Sequence, residues 1–133
     1  MLDLSNVDPS VAGAAGGYSL VTTVGDLVRF LDALLAGRLF RHRETLQAML
    51  AFKPAPDRES PGQVGYGLGL IRRVFPGGVE TIDHYGGTVV YAAYVGRLPR
   101  QKVTFAAAVN GKIRPGQMVD ASPLLFPVLR ALS

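Results

Sequence analysis

The chain has 133 residues, of which 48% are hydrophobic and 18% charged. This suits one small domain with its own core and excludes a disordered polyelectrolyte. There is no cysteine, so disulfides and thiolate metal sites are excluded. The net charge is +4, but Arg38, Arg41 and Arg43, and the neighbours Arg72 and Arg73, lack the exposed aromatics of a nucleic-acid surface; they read as a mildly basic solvated face, and no nucleic-acid partner is expected.

In chain order, "MLDLSNVDPS" has no basic segment followed by an apolar one, so no signal peptide is visible and localisation stays open. The small residues of "VAGAAGGYSLV" make residues 1–21 read as a loop arriving from an upstream region. "TTVGDLVRFLDALLAGRL" predicts a helix, with Thr23 as N-cap, Asp26 as its capping-box partner and Gly37 as C-terminal cap. Leu27, Phe30, Leu31, Leu34 and Leu35 repeat at helical spacing and predict one buried stripe. A shorter helix follows in "RETLQAMLAF", ended by Pro54, and "KPAPDRESPGQ" reads as a loop.

The period then changes. "VGYGLGLIRRV" alternates, placing Tyr66, Leu68 and Leu70 on one face of a strand; "VETIDH", "TVVYAAYVGRL" and "KVTFAAAVN" predict three more, with turns at "PGG" and "PRQ". The apolar run over 88–95 implies a strand covered on both faces. "SPLLFPVLRALS" starts as a helix, with Ser122 as cap and Pro123 in first position. No segment approaches the ~18 apolar residues of a membrane span. The expected fold is α+β: an antiparallel meander of about four strands with helices packed on it.

Residue by residue, the chemistry is sparse. His84 at a strand end, and His42 among arginines, are by themselves ordinary structural or exposed histidines. Asp83 adjoins His84, but strand neighbours point to opposite faces. Two histidines without spaced acidic partners make no metal site, and neither a metal nor a cofactor is expected. Gly86 and Gly87 alone mean a bend or a close backbone approach.

Taken in series, "AAGGYSLVTTVGDLVRFLDALLAGRL", "ETLQAML", "GYGLGL" and "DHYGGTVVYAAYVGRLPRQKVTFAAAVNG" resemble the C-terminal part of the serine β-lactamase-like hydrolases. These are the class C β-lactamases, the serine D-alanyl-D-alanine carboxypeptidases and related esterases. The resemblance covers most of residues 12–111 and implies that residues 1–133 form a single partial domain, the C-terminal portion of a β-lactamase/transpeptidase-like α/β domain. "HYG" at 84–86 stands where the family has Lys-Thr-Gly or His-x-Gly. His84 would then supply positive charge or a hydrogen bond to the substrate. Tyr85 would fill the variable middle place, Gly86 would let the substrate backbone approach, and the Gly87 N–H would join the oxyanion hole, with Thr88 completing the wall. A histidine there, unlike a lysine, makes the contribution pH-sensitive. After Thr88 the family often continues Pro-Gly; Val89 and Val90 stand here instead.

The family's other motifs are absent from this sequence. Ser5, Ser10, Ser19, Ser60 and Ser122 are followed three residues later by Asp8, Gly13, Thr22, Gln63 and Leu125, so none makes Ser-x-x-Lys. Nor does any tyrosine make Tyr-x-Asn or Tyr-x-Ser. The chain is therefore expected to be one wall of a serine-hydrolase site, with no catalytic nucleophile of its own and no activity unaided. It would bind a small acyl substrate once the site is completed. The alternative is a non-catalytic, self-associating or partner-binding module of the same descent. Either way "KVTFAAAVN" is expected to leave an unpaired sheet edge, fit for a second copy or a complementary N-terminal chain.

Overall fold

The computed structural model describes residues 20–57, 60–87, 91–111, 121, 124 and 127–129. The expectations for residues 1–19, for Thr88 and for the Ser122–Pro123 cap fall outside that set. Helix α1 (Val24–Leu35) and helix α2 (Arg43–Met49) come first; strands β1 (Lys53–Pro54), β2 (Gln63–Tyr66), β3 (Ile71–Phe75), β4 (Val79–Gly87), β5 (Tyr91–Leu98) and β6 (Val103–Asn110) follow. They form one six-stranded sheet in the order β1 to β6, antiparallel at every step. No helix among the described residues is long and apolar enough to cross a membrane.

Helix α1 begins as its sequence predicts. Thr23 Oγ1 accepts from the Asp26 N–H at 3.1 Å, while its own proton goes to Asp26 Oδ2 at 2.7 Å. This differs from a reciprocal capping box, because the carboxylate reaches the hydroxyl rather than the Thr23 N–H. The helix stops in a Schellman arrangement: Arg38 N–H donates to Ala33 O and Gly37 N–H to Leu34 O, both at 2.9 Å, around a left-handed Gly37 at φ 73°. Leu31 and Leu34 are buried with Leu70, and Ile82 and Val95 pack against them from the sheet. Phe30, predicted in the buried stripe, is instead 54% exposed, because the seam that meets the sheet is narrower than the apolar face.

The predicted meander is present: β4, β5 and β6 are adjacent antiparallel strands. Among the described residues the strand count is six rather than about four. "VGYGLGLIRRV" is two strands joined by a tight turn, not one. Gly67 N–H donates to Leu70 O at 2.8 Å, and Gly69 sits at φ 74°, which a residue with a side chain adopts only under strain. Tyr66, Leu68 and Leu70 accordingly do not share a face: Leu70 is buried while Leu68 is 64% exposed. Lys53 and Pro54, read as loop, pair with Tyr66 and Gly65 as a two-residue edge strand, a place where proline's missing N–H costs little. Helix α2 ends at Met49, before Pro54 is reached.

The sheet is covered on both sides, as the apolar β5 implies. One face carries α1. The other carries a second core cluster of Val79, Ala92, Tyr94, Leu98, Ala121 and Leu129, with residues 127–129 in a helical turn. Tyr94 stacks on Phe105, ring centroids 5.8 Å apart and planes 12° from parallel, an arrangement worth about 0.5–1.5 kcal/mol beyond its buried area. Gly96 lies opposite Phe105, and a Cβ there would come within 2.8 Å of the Phe105 ring. Arg73, expected on the basic surface, is buried and paired with Asp83; Arg72 beside it is exposed and paired with Glu80. Alternation along β3 places these two neighbours on opposite faces.

Candidate active site

Strands β3 and β4 differ in length, and that difference creates the site. Their pairing ends at Ile71 opposite Asp83. Strand β4 runs on through His84, Tyr85, Gly86 and Gly87, paired on its other side with Val95, Tyr94, Ala93 and Ala92 of β5. Beyond Asp83, therefore, the β3-facing side of β4 has no strand partner among the described residues. An unpaired strand flank presents backbone N–H and C=O groups outward. A Cβ built at Gly86 meets no atom within 4 Å, so the space in front of this glycine is open.

The side chains around the overhang form a cleft of about 460 Å³, lined by Asp57, Gln63, Tyr66, Ile71, His84 and Tyr85. Tyr66 Oη lies 3.2 Å from His84 Nε2. The Tyr85 ring is tilted against His84 at 6.3 Å between centroids. Gln63 Nε2 donates to Ala55 O at 2.8 Å, tying the 55–63 connection to the cleft wall. A second cleft of about 430 Å³ lies between the end of α1 and the β5–β6 turn, beside Asp32, Arg38, Arg97 and Lys102. There Arg97 is already engaged by Asp32 at 2.6 Å and Thr104 at 2.7 Å.

Directly behind the overhang lies a buried polar cluster that the sequence did not reveal. Arg73 Nε donates to both Asp83 oxygens, at 3.0 and 3.2 Å; Arg73 Nη1 donates to Ser60 Oγ at 2.8 Å and Pro61 O at 2.9 Å; and Thr81 Oγ1 donates to Asp83 Oδ2 at 2.5 Å. Thr81 and Asp83 are fully buried. Burial opposes the Arg73 charge, but the Asp83 carboxylate outweighs it and holds the guanidinium above its usual pKa. In an ion pair this deep each member compensates the other's charge, and removing either alone would leave an unpaired buried charge. The guanidinium also lies 5.4 Å from the centre of the Tyr85 ring, a cation–π contact that ties the cluster to the cleft. Tyr94 Oη is buried near the same carboxylate without a hydrogen bond of acceptable geometry; burial first, then the Asp83 charge, push its phenol well above the ordinary range.

Of the residues singled out in the sequence, His84, Tyr85, Gly86 and Gly87 thus lie together on one strand overhang. Asp83, set aside as pointing away from His84, is the centre of the buried cluster. Ser60 is 2% exposed and accepts from Arg73 Nη1. Tyr66 and Arg73 were missed as site residues. Tyr66 stands in "GYGLGL", but its distance to His84 depends on a hairpin that periodicity had read as a single strand. Among the described residues no three His, Cys, Asp or Glu side chains converge as metal ligands would.

The Beta-lactamase family model matches residues 2–129. The chain belongs to the beta-lactamase family. No curated protein matches it. Among solved structures, a D-stereospecific amidohydrolase from Streptomyces sp. is similar at 30% identity and a TM-score of 0.67, over 93% of this chain and 34% of that one. The D-amino acid amidase of Ochrobactrum anthropi SV3, solved with D-phenylalanine, is similar at 25% identity and a TM-score of 0.65, over 86% of this chain and 36% of that one. The chain thus spans about a third of the length of these members of the fold. Their likeness also supports the α+β architecture of a partial β-lactamase/transpeptidase-like domain.

Proposed function

We propose that the β4 overhang is the His-x-Gly wall of an acyl-transfer site that hydrolyses amides or esters through a serine acyl-enzyme, with D-configured amino-acid amides as the favoured class. The observation that carries this reading is the flank of residues 84–87, without a strand partner among the described residues, beside an open Gly86. In an acyl-transfer site the attacked carbonyl oxygen gains negative charge, and a preorganised N–H aimed at it is worth about 3 kcal/mol. The Gly87 N–H is the donor assigned to that task, with Thr88 continuing the wall. His84 holds the substrate or the catalytic network by a hydrogen bond, and Gly86 admits the substrate backbone. The substrate class follows the names of the two similar structures. The nucleophile comes from polypeptide outside this sequence, because no serine here makes Ser-x-x-Lys.

The test has two arms. With a fluorescent fluorophosphonate the 133-residue chain is expected to form no adduct; a stoichiometric adduct on one of its serines would overturn the missing-nucleophile assignment. Joined to a polypeptide bearing the family's Ser-x-x-Lys, it is expected to hydrolyse D-phenylalanine amide and to lose that activity on His84→Ala. Undiminished turnover in that variant would remove His84 from the wall.

A second reading, a non-catalytic module that self-associates or pairs with a complementary chain, is favoured by one observation: β6 is the last strand of the sheet among the described residues. Both readings use the same edge, which in the first accepts the polypeptide that completes the site.

A further inference from the structure

We infer that Tyr66 is a positioning residue for His84: its hydroxyl donates to His84 Nε2 and holds the imidazole as the Nδ1–H tautomer. The inference rests on the reading of His84 as the polar anchor of the wall. Tyr66 and His84 are 18 residues apart in sequence, yet Oη and Nε2 lie 3.2 Å apart, with the rings nearly perpendicular at 80°. That approach is built by the hairpin. Tyr66 is the last residue of β2 and is paired on both sides, with Lys53 and with Ile71. The turn beyond it is pinned by Leu68 N–H donating to Met49 O at 3.1 Å. The backbone under Tyr66 is therefore held from three directions, and its hydroxyl is delivered to one nitrogen of the ring.

The direction of the hydrogen bond follows from the two groups. A phenol is a good donor and a weak acceptor, because its oxygen lone pair is delocalised into the ring. A neutral imidazole has one strongly accepting nitrogen, and whichever nitrogen accepts leaves the proton on the other. Donation from Tyr66 to Nε2 thus selects the Nδ1–H form, which is the less favoured tautomer of a free imidazole in water. The consequence for the wall is specific: His84 offers Nδ1–H, and not Nε2–H, to whatever enters the cleft. Tyr85 packs against the same ring at 6.3 Å but contributes no hydrogen bond to it.

Ring ¹⁵N shifts of His84, read by NMR on the uniformly labelled chain at mildly alkaline pH, test this without substrate. The wild-type protein is expected to show Nδ1–H as the major form. Tyr66→Phe, which removes one hydroxyl from a partly exposed ring, is expected to reverse the ratio to Nε2–H. Tyr85→Phe is expected to leave it unchanged. A major Nε2–H form in the wild type overturns the inference, whatever the variants do. So does the same major tautomer in wild type and Tyr66→Phe. Because the tautomer is read without turnover, its failure is distinct from that of the catalytic reading, which His84→Ala tests separately.

Discussion

Two glycines in one site region serve different ends, and single substitutions separate them. At Gly86 an added Cβ meets nothing, so Gly86→Ala is expected to leave stability unchanged or raised by up to about 1 kcal/mol, through the lower entropy of the unfolded chain. In a completed site the same methyl occupies space that substrate backbone requires, and turnover of D-phenylalanine amide is expected to fall at least tenfold. Urea midpoints and kcat/KM read the two effects separately; a loss of stability with unchanged turnover would mean that Gly86 serves the fold alone. Tyr94 makes a different kind of prediction. Burial and the neighbouring Asp83 charge raise its pKa above the ordinary value of about 10. Above about pH 10 the unfolded chain loses this proton while the folded chain keeps it, so the contribution is fully present below that pH and lost as pH rises. Tyr94→Phe is expected to flatten the alkaline decline of stability, measured by denaturant midpoints across pH. At neutral pH it is expected to cost little, because the deleted hydroxyl makes no hydrogen bond in the fold.

At the scale of elements, the β2–β3 hairpin connects helix α2 to the site. Met49, the last residue of α2, accepts from Leu68 N–H at 3.1 Å, one of the carbonyls a helix end leaves without an internal partner. This docking requires Gly67: a Cβ there would lie 2.2 Å from Met49 O, against backbone that cannot rotate away. Gly67→Ala is expected to destabilise the protein by about 2 kcal/mol or more, the range of overpacking, and to move Tyr66 away from His84. The first effect is read by thermal or urea unfolding and the second by the His84 ring shifts. A Gly67→Ala protein of unchanged stability would show that the hairpin is not clamped by α2. The buried cluster acts at the same scale: Arg73 on β3, Asp83 on β4 and Ser60 before β2 bring three segments together beneath Tyr85.

For the whole molecule, the two edges of the sheet are unlike. The β1 edge is two residues long and carries Lys53 and Pro54, both features that discourage further pairing. The β6 edge is eight residues long, "VTFAAAVN", with neither proline nor charge. Its outer flank has no strand partner among the described residues. An edge of that length and composition invites another strand. Light scattering over a concentration series is expected to show association of the isolated chain, reversed by a complementary polypeptide that completes the site. A monomer at all concentrations would count against both the self-association and the open edge.

Local chemistry was largely readable from the residues in order. The α1 cap and stop, the Pro-Gly-Gly turn, the antiparallel meander and the covered β5 follow from capping, turn residues and periodicity, which act over a few neighbours. The stretch at 84–87 was by itself only a strand end followed by two glycines; its candidate role came from the resemblance of the whole series of segments. What periodicity could not distinguish was a glycine-spaced strand from a hairpin, since "GYGLGL" alternates in either case; long-range pairing with Lys53 and docking against Met49 decide it. The same holds for Arg73, whose sequence neighbour Arg72 is exposed: only the register of β3 against β4 determines which of the two guanidiniums is buried with Asp83. The overhang itself is a difference in strand length: pairing with β3 ends at Ile71 while β4 continues along β5. The residues proposed for the wall stand next to one another in the chain, but the strand overhang that carries them, and the tyrosine brought to the histidine, come from pairings between distant segments.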